Sequence, residues 1–168
     1  MRTTTITGAL AVVATTALIG GVATAQEPTT TRERGIVIEC HGTLGDREVW
    51  TSIYENNTVR NVVQVVVGDD GVGAIRETVK PFKVGRDVRA TVRVAGKRAV
   101  IDGTARIVGK RTAVHEEHDD AGEYITIDGT HRRIAADLTL TWKKRTVPLT
   151  CDEAFAYDLQ VAREPVVD

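Results

Sequence analysis

The chain has 168 residues, 42% of them hydrophobic, 27% charged and 4% aromatic, with a formal net charge of −1. That length holds one domain with short tails, and the ordinary charged fraction excludes a wholly disordered chain. The near-neutral balance disfavours a nucleic-acid binder, which carries a basic excess.

Residues 1–25 have the layout of an export signal. Arg2 supplies a positive start, Ala9 to Gly20 is apolar, and Ala23-Thr24-Ala25 places small residues at the −3 and −1 positions before Gln26. An uncleaved anchor is the competing reading, but threonines and glycines dilute the apolar run. No stable membrane insertion is therefore expected after cleavage. Cleavage removes Arg2 and no acid, so 25 residues taken from 168 leave 143 at net −2. Residues 26–34, Thr-rich and aperiodic, are expected to be a flexible leader, 35–161 a single β domain, and 162–168 a C-terminal tail.

Two cysteines remain, Cys40 and Cys151. Export exposes them to an oxidising compartment, and each shares strand parity with aliphatic residues, so a core-facing disulfide is predicted. It would close a loop of about 110 residues, for which loop entropy allows roughly 4–5 kcal/mol. Neither a Cys-x-x-Cys pair nor an adjacent base suggests metal or thiol chemistry.

From Gly35 onward the sequence alternates with period two, the signature of half-buried strands. Val88, Ala90, Val92 and Val94 form one face; Ile134, Ala136, Leu138, Leu140 and Trp142 form another; Phe155, Tyr157, Leu159 and Val161 form a third. Gly45-Asp46, Gly96-Lys97 and Gly109-Lys110 suit tight hairpins, and Asp69-Asp70-Gly71, Asp119 to Gly122, Asp128-Gly129 and Lys143-Lys144 mark further turns. The prediction is an all-β fold: an antiparallel meander of about ten strands, as an up-and-down barrel or a curled sheet. An immunoglobulin-like sandwich is the alternative, weakened because no Trp between the cysteines matches that fold. In a meander Gly96 to Arg98, Lys143 to Arg145, Asp69-Asp70 and Asp119-Asp120 would share one end. His131 to Arg133, Gly109 to Arg111 and Asp152-Glu153 would sit at the other, leaving both ends mixed in sign.

Little assembled chemistry is visible. The only serine of the chain is Ser52, with no nucleophile-elbow glycines around it, and no phosphate-binding loop occurs. The Asn56-Asn57-Thr58 sequon is either a glycan acceptor or a turn. His115, Glu116, Glu117, His118, Asp119 and Asp120 form the densest titratable run. On a strand His115 and His118 point to opposite faces, so a solvated acidic hairpin is expected, with His118, Asp120 and His131 as a weak polar-site alternative. No cofactor or metal is implied. Trp50 and Tyr54 share a face with Ser52; they are expected in the core, with ligand contact as the functional alternative. Val62 to Val67, interrupted only by Gln64, is apolar on both faces, as in a strand covered on both sides, whether by a second layer, a partner or a second protomer in a homodimer.

The high ratio of Arg to Lys and the Ala, Val, Thr and Gly bias fit a bacterial exported protein. Together these readings predict a secreted or cell-envelope-associated, non-enzymatic binding protein taking a small apolar ligand or a protein or cell-surface partner. An enzyme using acid–base or metal chemistry around His115, Glu117, His118 and His131 is the second reading, and a structural envelope protein the third.

Overall fold

The computed structural model describes residues 27–68 and 72–166. The expected signal segment and the Asp69-Asp70-Gly71 turn lie outside the described residues. The strands are β1 Thr29–Leu44, β2 Arg47–Asn56, β3 Asn61–Val67, β4 Val72–Thr78, β5 Lys83–Val84, β6 Asp87–Val94, β7 Lys97–Ile107, β8 Thr112–Asp120, β9 Glu123–Trp142 and β10 Arg145–Pro165. All pair antiparallel in one sheet of order β4-β3-β2-β1-β10-β9-β7-β6-β5, with β8 also on β9. The sheet curls into a half-barrel, and β3 and β4 reach across to β6, where Arg76 donates to the Thr91 carbonyl at 2.9 Å. One continuous sheet replaces the two-sheet sandwich alternative.

Valine and isoleucine at every second position make these strands, and the inward set fills the curl. Ile36, Ile38, Val63, Val65, Ile101, Leu138 and Leu140 are buried there, with Trp142 donating its indole N–H to the Val94 carbonyl at 3.3 Å. Cys40 and Cys151 are directly paired across β1 and β10 and form the disulfide. Such a crosslink fits an oxidising compartment. Among the described residues no helix is long and apolar enough to cross a membrane.

Several turns fall where the dipeptides place them. Gly45-Asp46 joins β1 to β2, and Lys143-Lys144 joins β9 to β10 with both residues at positive φ, 49° and 65°. Ala121-Gly122 closes the β8–β9 hairpin, and Ala95-Gly96, one residue earlier than expected, closes β6–β7. Gly109-Lys110 is no hairpin, because β7 and β8 do not pair with each other; both pair with β9. Asp128-Gly129 is no turn either and lies mid-strand in β9. Gly129 is needed for close approach: a Cβ there would overlap the Asp158 carbonyl oxygen of β10.

The ends are also longer than expected. Thr29 to Arg34, expected as a flexible leader, pair with Asp158 to Arg163, residues that extend β10 into the expected tail. Together with β8 and the first half of β9 they form a four-stranded ribbon that continues past the half-barrel. β9, with about 60 Å of contour at 3.3 Å per residue, belongs to both regions. Asp119-Asp120 therefore lie at the opposite end of β9 from Lys143-Lys144, not beside them.

The final strand holds the main departure in face assignment. At Glu39/Cys40 the β1–β10 register shifts so that Asp152 is an extra, unpaired residue. This bulge reverses the side-chain parity of β10. Leu149 before it and Ala154 and Ala156 after it join the interior, while Phe155, Tyr157, Leu159 and Val161 stand on the other face, where Tyr157 and Val161 are nonetheless buried.

Candidate functional site

Along three neighbouring strands the concave face changes character at one register. On β1 the inward residues run Leu44, Gly42, Cys40, Ile38, Ile36 and then Arg34, Arg32, Thr30; on β9 they run Trp142, Leu140, Leu138, Ala136, Ile134 and then Arg132, Thr130, Asp128. On β10 Ala154 and Ala156 give way to Asp158 and Gln160. The rows Ile36↔Ala156↔Arg132 and Arg34↔Asp158↔Thr130 bring the change on all three strands to within one row, β9 turning polar first at Arg132. One face therefore has a filled aliphatic part and a polar part.

Ion pairs organise the polar part. Arg32 grips Asp158 bidentately, Nε and Nη2 each 2.8 Å from a carboxylate oxygen, and Arg34 Nε lies 3.2 Å from Asp158 Oδ1. The hydrogen bond from Arg32, reinforced by Arg34, holds the Asp158 carboxyl down to about 2. In the next register row Arg32, Gln160, Asp128 and His115 are successive cross-strand neighbours. His115 Nδ1 lies 2.7 Å from Asp128 Oδ1 and its Nε2 3.5 Å from Glu117 Oε1. The hydrogen bond to Asp128, with the charges of Asp128 and Glu117, raises the imidazole above its ordinary value. Arg111, from the β7–β8 connection, completes an open cleft of about 680 Å³ with Arg32, Asp128, Thr130, Asp158 and Gln160. Arg132 sits on the boundary row; its Nη2 reaches the Gly109 carbonyl at 3.2 Å, while its Nε is buried without a partner.

The sequence-predicted residues separate. His115 belongs to the cleft region, whereas His118, of opposite parity, pairs with Ile125 on the other face. His131 shares that other face but pairs with Thr112, six residues from His118 along β8, or roughly 20 Å. Its ring packs on Phe155 at 5.7 Å, beside a second open cleft of about 440 Å³ at the Asp152 bulge. Among the described residues no three His, Cys, Asp or Glu side chains are grouped to hold a metal ion. Trp50 and Tyr54 are not core residues: both face outward, Trp50 36% exposed and Tyr54 stacked on Tyr157 at 6.3 Å, while the alternating Val49, Thr51 and Ile53 are buried. Val62 to Val67 divides likewise, Val63, Val65 and Val67 inward and Val62 and Val66 half-buried outside.

The sequon is a structural turn. Asn56 is buried, its amide nitrogen donating to Glu33 at 2.7 Å and its oxygen accepting from Thr58 N–H and O–H, each at 2.7 Å. Asn57 clamps the same turn onto β1, its Oδ1 accepting from Arg34 N–H at 2.5 Å. A glycan on Asn56 is incompatible with this packing. The Arg32–Asp158 centre is not legible in the sequence because Arg32 falls in the expected leader, while Asp158 reads as a polar position of the last strand.

Comparison with known proteins adds little. No family model matches the chain, and no curated protein does. A crystal structure of a protein from Nitrosomonas europaea, provisionally assigned as AttH, aligns over 82% of this chain at 12% identity and a TM-score of 0.32. The chain spans about half, 52%, of the length of that protein.

Proposed function

We propose that this chain is a secreted, non-enzymatic binding protein that takes a polar ligand on the concave face of its ribbon. The observation carrying this reading is the aligned boundary on that face. The aliphatic part is lined by buried side chains, and a polar ligand is favoured because the polar part is an open cleft. Its guanidinium, carboxylate, amide and hydroxyl groups offer donors and acceptors of both kinds, and Ser52, on the outer face of β2, is remote from them. Prealigned ion pairs lower the ordering cost of binding.

The acid–base alternative has one supporting observation, the His115–Asp128 pair beside the cleft. The pair is exposed to solvent, which favours binding over catalysis as the reading.

The test is comparative. Wild-type protein and the Arg32→Ala/Asp158→Ala variant are equilibrated with the polar fraction of medium from producing cells and examined by native mass spectrometry. A discrete adduct on the wild type, absent from the variant, is expected. An adduct retained by the variant, or turnover of the bound compound that His115→Ala abolishes, contradicts the proposal.

A further inference from the structure

Three loops meet where the half-barrel ends and the ribbon continues. The β2–β3 turn (57–60) and the start of the β4–β5 loop are joined by the Asn61↔Thr78 pairing. Glu55 ties the rest of that loop to the end of β2, accepting from Phe82 N–H at 2.5 Å and Lys83 N–H at 2.6 Å. Each loop combines an exposed valine with cations. Val59 (58% exposed) adjoins Arg60, Val79 (79%) adjoins Lys80, and Val84 (68%) lies between Lys83 and Arg86. No acid occurs in 57–60 or 79–86. Among the described residues Arg60, Lys80 and Arg86 form no ion pair. These loop segments thus carry four cations, with the acids Glu55, Glu77 and Asp87 at their borders. Exposed apolar side chains beside clustered cations mark an interaction surface.

We infer that this surface receives the acidic β8–β9 hairpin of a second copy of the chain. Two observations select that occupant. The hairpin carries Glu116, Glu117, Asp119, Asp120 and Glu123, and every residue of β8 except half-buried Val114 is exposed. In addition, the ribbon runs on past the basic loops by the six residues Thr29 to Arg34, roughly 20 Å. A planar anionic membrane would meet the acidic hairpin before it reached the valines. A two-fold-related copy instead lays its hairpin into this step while its own step receives the first copy's hairpin, so the same opposite-charge contact forms twice and closes.

Sedimentation velocity of the mature protein at low and high salt tests this. A dimer at low salt that dissociates at high salt is expected. Lys80→Glu/Arg86→Glu and Asp119→Lys/Asp120→Lys should each weaken self-association at least tenfold, and an equimolar mixture of the two should recover it as a heterodimer, because each then complements the other. All four positions are exposed, and circular dichroism of each variant confirms the fold. The inference is overturned if the wild type is monomeric at low salt across the accessible concentration range, or if either variant dimerises as the wild type does. It is also overturned if a monomeric wild type co-sediments with phosphatidylglycerol vesicles, which assigns the loops to a membrane.

Discussion

Single residues set the geometry around the boundary, and Gly35 is the least replaceable. A Cβ at this position would overlap the Glu55 carbonyl oxygen and lie 2.5 Å from the Tyr157 hydroxyl, which donates to that same carbonyl at 2.9 Å. Gly35→Ala should therefore cost about 3 kcal/mol in urea unfolding, through overpacking and loss of this hydrogen bond. Glu55 acts differently. Burial raises its carboxyl, against the pull of the Lys83 and Phe82 amides, so its contribution to stability is present below 4.5 and declines as pH rises through the raised value. Glu55→Gln, which keeps an acceptor for both amides, should stay within about 1 kcal/mol of wild type at neutral pH, whereas Glu55→Ala should lose about 2–3 kcal/mol. Asp158 has the opposite sign. Its carboxyl is lowered from 3.8 to about 2, so the Arg32 and Arg34 pairs contribute fully above 3.8 and fade as pH falls to about 2. A carboxyl-carbon NMR titration should show Asp158 among the last carboxylates to protonate, and Arg32→Ala should move it back towards 3.8.

At the scale of elements, alternation and turn chemistry were legible where the chain obeys one rule at a time. β6 and the second half of β9 read directly as strands, since each presents an uninterrupted apolar face to the interior. Lys143-Lys144 was legible as a turn because it separates two alternating runs, although both residues pay for positive φ. Lys144→Gly should accordingly stabilise the chain by about 0.5–1 kcal/mol in thermal unfolding. The bulge at Asp152 was not legible. It adds one residue with no compositional mark, and its effect appears only in the pairing of Cys40 with Cys151 and Glu39 with Glu153. Asp128-Gly129 misled for a related reason, as the glycine that suggests a turn serves close approach between β9 and β10. Trp50 looked like core because aromatic residues are scarce here and usually buried; on β2, Thr51 takes the buried position instead. Strand parity and compartment both point to the disulfide, and it is present. Cys40→Ala/Cys151→Ala should lose about 2–5 kcal/mol, as expected for a crosslink spanning 111 residues.

For the whole molecule, one sheet performs two tasks because the composition of its concave face changes partway along β1, β9 and β10. The aliphatic part stabilises the curl, and the ribbon presents ordered charges to solvent. The candidate site was only partly legible, since His115 and Glu117 stand out as a titratable run, whereas Asp128 reads as a turn and the Arg32–Asp158 pair comes from distant segments joined by strand register. Hydrogen–deuterium exchange, with and without the polar fraction of medium from producing cells, addresses the binding claim directly and does not require the ligand to be identified first. Added protection is expected at Thr30 to Arg34, Asp128 to Thr130 and Asp158 to Gln160, lost in Arg32→Ala/Asp158→Ala. Protection confined to Trp50 to Tyr54, or to the strands of the aliphatic interior, would contradict it.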